Sequence, residues 1–189
     1  MSMPRAERRL RAWLRAGLSD VRGVAAVEFA LLLPILIAFY FGAVELTQGM
    51  MAQERTIHTA ATIGDLVSQS STLTSADITD ILSVGQTTMY PYPTGSLGER
   101  VTSVSEDAKG KITVTWSQAS GGMTALTKGS GFSDPNLTKV LTTNDSEIVA
   151  ESQYTYTSAF NYVLPKPITF NEKSYSKPRI STSVTCSDC

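Results

Sequence analysis

Four groups of residues have types and spacing that could do chemistry. The first is Glu28, which lies in "RGVAAVEFALLLPILIAFYFG", residues 22–42, where it is the sole ionisable group after Arg22 apart from tyrosine. A carboxylate at membrane depth costs about 2.5–3.5 kcal/mol on insertion scales. It therefore needs a compensating partner, or a place near the interface from which it snorkels or takes up a proton. The second is His58, the only histidine, so a Ser-His-Asp triad would have to use it, and no partner pattern surrounds it. The third is Cys186-x-x-Cys189. In an oxidising compartment a small-ring disulfide is its simplest outcome, with free or intermolecular thiols as the alternative. Zinc would need two more ligands, and a thioredoxin-like role would need a helix starting at the first cysteine. The fourth is Asp77 with Asp80, which read as a helix cap and a solvated face, since no calcium-loop spacing surrounds them. There is no P-loop, GxGxxG or HExxH, so neither an enzyme nor a cofactor is expected.

The elements that must position these groups begin with charge. The chain has 189 residues and a formal net charge of −1, which gives no basis for a nucleic-acid partner. The distribution is uneven: residues 1–23 carry six arginines against Glu7 and Asp20, a net +4 that leaves −5 for the remainder. Residues 24–44 then contain one acid in 21 positions, and at 1.5 Å per residue a helix of that length spans roughly 30 Å, a bilayer's hydrocarbon core. The basic flank puts the N-terminus in the cytoplasm and the bulk of the chain outside it. A cleaved secretory signal fits less well, because its apolar core runs about 7–15 residues and ends in a small-x-small site. Phe41-Gly42-Ala43 has a bulky residue in that place, and "ERRLRAWL" matches a twin-arginine signal poorly. In the leader, Leu10, Trp13, Leu14, Leu18 and Val21 share one stripe, which reads either as an amphipathic helix on anionic lipid or as simple orientation charge.

Past the span, Leu46, Met50, Ile57, Ala60, Ala61, Ile63 and Val67 recur near helical spacing, so the helix is expected to continue to about Gln69. Thr74 and Asp77 form a T-x-x-D capping pattern before a second, short helix. Ile112, Val114 and Trp116 alternate with polar residues after a turn at 107–110 and a weaker strand around 101–105, which predicts a hairpin. "EIVAESQYTYT" and "RISTSVT" supply two further strands. Residues 119–146, rich in Gly, Ser and Thr, are expected to form an exposed, irregular connection. The expected fold class is α+β: a long N-terminal transmembrane helix running into a domain with an antiparallel sheet of about four strands. The expected division is a basic cytoplasmic leader at 1–23, a transmembrane helix at 24–45 and an external domain at 46–189.

Gly23, Val24, Glu28 and Phe29, followed by unbroken apolar residues, resemble the processing motif of type IV prepilins and pseudopilins. There a prepilin peptidase cuts after glycine, and glutamate stands fifth in the mature chain with an aromatic sixth. More narrowly, "GVAAVEFALLLPILIAFYFGAVELTQG", with Pro34 inside the run and Glu45 just beyond it, resembles the TadE-like family of the tight-adherence (Tad or Flp) pilus. Residues 147–180, "IVAESQYTYTSAFNYVLPKPITF" followed by "SYSKPRI", are similar to the distal sheet region of that family. The major Flp pilin is very short and the TadG type carries a much larger domain, so the resemblance implies a TadE-like or TadF-like minor pilin of pilin-like architecture.

The resemblance further implies cleavage after Gly23, a bacterial inner-membrane protein with a periplasmic domain, and a part in assembling an adhesive pilus. The implied partners are the membrane, the prepilin peptidase, other pilins and Tad assembly proteins. Cleavage would create an α-amine at Val24, one helical turn from Glu28 on the same face. In an assembled fibre the partner of Glu28 would be the amine of a neighbouring subunit, a register mark in an apolar bundle. Two rival readings stand beside this one. One is an uncleaved single-pass anchor whose periplasmic domain binds envelope proteins or a ligand; the other is a membrane-tethered enzyme, for which no residues converge.

Overall fold

A computed structural model describes residues 23–137, 141–142 and 145–189. The expected amphipathic leader, residues 1–22, lies outside them. Two compact units divide between Val44 and Glu45.

One helix, α1 (Val24–Ser68), carries the apolar run and continues past it. Its opening stretch is long and apolar enough to cross a membrane, and none of that window is buried by protein. Every large apolar side chain from Val24 to Phe41 is exposed. Pro34 sits inside the helix without ending it.

From Glu45 onward the chain folds around its own core. Along α1, Ala52, Thr56, the adjacent pair Thr59 and Ala60, Ile63 and Val67 are buried, recurring every three or four residues, so one face of the helix turns inward. The inward face is shifted from the expected one: Leu46, Met50 and Ile57 are exposed, and two threonines take core positions. Threonine is tolerated there because each hydroxyl donates to the carbonyl one turn back, Thr56 to Ala52 and Thr59 to Arg55, both at 2.9 Å. Helix α2 (Ser75–Thr88) starts on the expected capping box: the Thr74 hydroxyl accepts from the Asp77 amide, and the Asp77 carboxylate accepts from the Thr74 amide.

The sheet has four strands: β2 (Leu97–Glu106), β3 (Ile112–Ser120), β4 (Ser146–Tyr156) and β5 (Ile168–Ser176), preceded in the chain by the two-residue β1 (Thr72–Leu73). Their order is β3-β2-β4-β5 and each pairing is antiparallel. The expected α+β class with a four-stranded antiparallel sheet is therefore what forms, but its fourth strand is a different segment. "RISTSVT" adds no strand to the sheet. Ile180 is 70% exposed while Val184 is fully buried, although a two-residue period would put both on one face. That segment is pinned by separate bonds, from the Ser146 hydroxyl to the Thr182 carbonyl and from Trp116 Nε1 to the Val184 carbonyl, and ends in the two-residue β6 (Thr185–Cys186) parallel to β1.

One face of the sheet carries Val101, Trp116, Ile148 and Ala150 against Ile63 and Val67 of α1 and Ile78 and Leu82 of α2. Gly64 permits close approach here, since a Cβ on it would lie 3.0 Å from Ser176 Oγ and 3.4 Å from the Ala150 Cβ. A bulge shifts the β2–β3 register, so that Ser103 faces Trp116 but Val104 faces Val114. Thr115 is the extra residue, and it breaks the expected alternation: Trp116 joins the helix side while Ile112 packs on the opposite face with Val104, Val149, Leu137 and Leu141. The latter two leucines overturn the expectation that 119–146 is exposed throughout. They cover the second sheet face, and Asp134 holds that cover in place by accepting from Lys173 Nζ at 3.1 Å and the Tyr175 hydroxyl at 2.9 Å.

Candidate functional site

Gly23, Val24, Glu28 and Phe29 lie at the start of α1, and all four are exposed. A Cβ built on Gly23 meets nothing within 4 Å, so this glycine is not required by packing among the described residues. Helical spacing puts Val24 and Glu28 on one face, one turn apart. Among the described residues no hydrogen bond or ion pair engages the Glu28 carboxylate. The element offers a ring of apolar side chains, Val27, Leu31, Leu32 and Ile35 among them, interrupted by one acid. Such a surface suits lipid or other apolar helices, and the acid selects for a donor or a cation.

The second acid of the helix is in the opposite condition. Glu45 is 1% exposed, and its carboxylate accepts from the Ser158 hydroxyl, from the Tyr162 amide at 3.1 Å and from the Val163 amide at 2.5 Å. Asn161 makes this possible with a positive φ of 53°, a left-handed turn that asparagine adopts more readily than most residues and that brings successive amides toward one acceptor. The Ser158 hydroxyl also accepts from the amides of Phe160 and Asn161, at 3.3 and 3.4 Å. Glu45 thus organises a loop 113 residues away in sequence. Sequence reasoning placed Glu45 only within a family pattern and did not find its partners, because nothing local marks the 158–163 loop as an anion receptor.

Glu99, on β2, is a third kind of acid. It is 3% exposed beneath α2, its Oε2 accepts from the Ser120 hydroxyl at 3.0 Å, and its Oε1 has no hydrogen-bond partner among the described residues. Burial pushes the carboxyl up to about 7, with the Ser120 bond opposing. The space for it comes from Gly85 of α2: a Cβ there would fall 1.6 Å from Glu99 Oε1. No sequence signal singled this residue out.

His58 lies on the exposed side of α1, 4.0 Å from Glu54 one turn earlier, and is placed as a surface pair. Cys186 and Cys189 are joined as a disulfide. They form, with Asp188, a close group of metal-ligating types. The disulfide occupies both sulfurs, and the Asp188 carboxylate accepts from the Ser75 amide at 2.7 Å, so the group serves to tie the C-terminal segment to the start of α2.

Residues 23–65 match the family described as TadE-like protein, the family that the N-terminal motif resembles. The match takes in Gly23, Glu28 and Glu45. No curated protein and no solved structure matches the chain.

Proposed function

We propose that this protein is a minor pilin or pseudopilin of the Tad pilus, matured by prepilin peptidase after Gly23. It inserts in the bacterial inner membrane with its N-terminus in the cytoplasm, places residues 46–189 in the periplasm, and supports assembly of the adhesive fibre through its apolar helix. Gly23 and Val24 are the two sides of the cut, and Glu28 with Phe29 is the motif read after it. The proposed role of Glu28 is to pair with the Val24 amine of a neighbouring pilin, which fixes axial register between otherwise featureless apolar helices.

The observation that carries this reading is the contrast around Glu28: a carboxylate with no partner among the described residues, exposed on an apolar helix segment inside the TadE-like match. An acid kept at a costly depth with no partner among the described residues is accounted for by a partner on another chain. Other pilins and Tad assembly proteins are the partners this reading names. The test is Glu28→Ala, scored by piliation and surface adhesion in cells. The expected result is loss of both, with membrane insertion retained or slightly improved, since an intramembrane acid is removed. Intact piliation and adhesion would overturn the assembly role and leave a single-pass anchor with a periplasmic binding domain.

A further inference from the structure

We propose that the loop at residues 158–164 is an interfacial anchor that seats the folded domain on the lipid surface, with Tyr162 and Val163 entering the boundary between headgroups and acyl chains. This rests on the reading that residues 24–44 span a membrane. Glu45 is the next residue of the same helix after that run, so a loop fastened to Glu45 stands at the height where the helix leaves hydrocarbon.

Three features fit the loop to lipid. Its composition is that of an interfacial belt: Tyr162 is 64% exposed, Phe160 and Val163 are exposed beside it, and Lys166 follows on the exposed side. Its backbone is prepared for a medium poor in water, because the amides of Phe160, Asn161, Tyr162 and Val163 are all donated to Ser158 or Glu45. Its apolar surface is continuous with a shallow groove of about 150 Å³ lined by Leu46, Met50, Leu164, Ile168 and Phe170. A buried carboxylate that spends its acceptor capacity on backbone amides, while the side chains on those amides point outward, is an arrangement for presenting side chains.

The experiment uses the full chain reconstituted in phosphatidylcholine/phosphatidylglycerol vesicles whose acyl chains are brominated close to the headgroup. Tryptophan is introduced singly as Tyr162→Trp, Phe39→Trp or Ile180→Trp, and the signal of the parent chain is subtracted. Tyr162→Trp is expected to lose about half its emission, as interfacial aromatics do, whereas Ile180→Trp keeps its emission. Quenching of Phe39→Trp without quenching of Tyr162→Trp would overturn the anchor and leave the spanning helix intact. An absence of quenching at both positions would remove the spanning reading and the anchor with it. Quenching of Tyr162→Trp that vanishes when the chain self-associates at high protein-to-lipid ratio would assign the surface to a second copy and overturn the lipid proposal.

Discussion

The two glutamates of α1, Glu28 and Glu45, are the same residue on the same helix and have opposite fates. Glu45 is enclosed and satisfied by a hydroxyl and two backbone amides of its own chain. Glu28 is exposed, has apolar neighbours, and finds no partner among the described residues. A charge that folding satisfies internally contributes to the fold, while a charge left unsatisfied at membrane depth is a liability unless a second molecule completes it. Glu99 extends the comparison: it is buried like Glu45 but receives one hydrogen bond, and it answers by holding its proton to higher pH.

The comparison breaks most easily at Glu45. Glu45→Ala strands three donors, and the full chain in detergent is expected to lose about 3–5 kcal/mol of unfolding free energy by denaturant titration. A loss under about 1 kcal/mol would mean the loop does not depend on the carboxylate.

Glu99 gives the next effect. Its folded-state pKa of about 7 lies above the ordinary value of 4.5. Between those values the unfolded chain binds fewer protons at this group, so the stability that Glu99 itself contributes is full below about pH 4.5 and is lost as pH rises through about 7, at most about 3 kcal/mol. Glu99→Gln, which keeps the shape without the charge, is expected to flatten that slope in the same titration repeated across pH. A slope unchanged by the substitution would assign it to other groups.

A smaller change is expected at Trp116, whose Nε1 donates to the Val184 carbonyl at 2.7 Å inside the core. Trp116→Phe should cost about 1–2 kcal/mol and loosen the 179–186 segment, read as faster amide exchange at Thr185 and Ser187. Smallest of all is the effect of Glu28→Gln on folding. It should leave unfolding within about 0.5 kcal/mol of the parent while abolishing piliation, because the partner proposed for it lies on another chain. Equal losses of stability and assembly would erase the distinction between the two acids.

What the sequence disclosed follows the reach of each signal. The apolar run, the Thr74–Asp77 cap and the 107–110 turn are local, and the helices and the β2–β3 hairpin appear where those signals put them. Strand β5 was missed because "ITFNEKSYS" is largely polar, as an edge strand can be, while "RISTSVT" has β-branched residues but spends them on isolated contacts. The bulge at Thr115 and the burial of Leu137 and Leu141 come from tertiary packing, to which periodicity is blind. At the candidate site, Gly23 and Glu28 are proposed from spacing and resemblance, whereas the receptor for Glu45 lies more than a hundred residues downstream and depends on the backbone of Asn161.

The most direct test is the mature N-terminus of the protein recovered from membranes, by intact mass and N-terminal peptide analysis, with and without prepilin peptidase. A start at Val24 that requires the peptidase is the predicted result, because it creates the amine that Glu28 is proposed to meet on a neighbouring subunit. Retention of residues 1–23 in peptidase-competent cells would contradict the account and leave Glu28 an interfacial acid on a simple anchor.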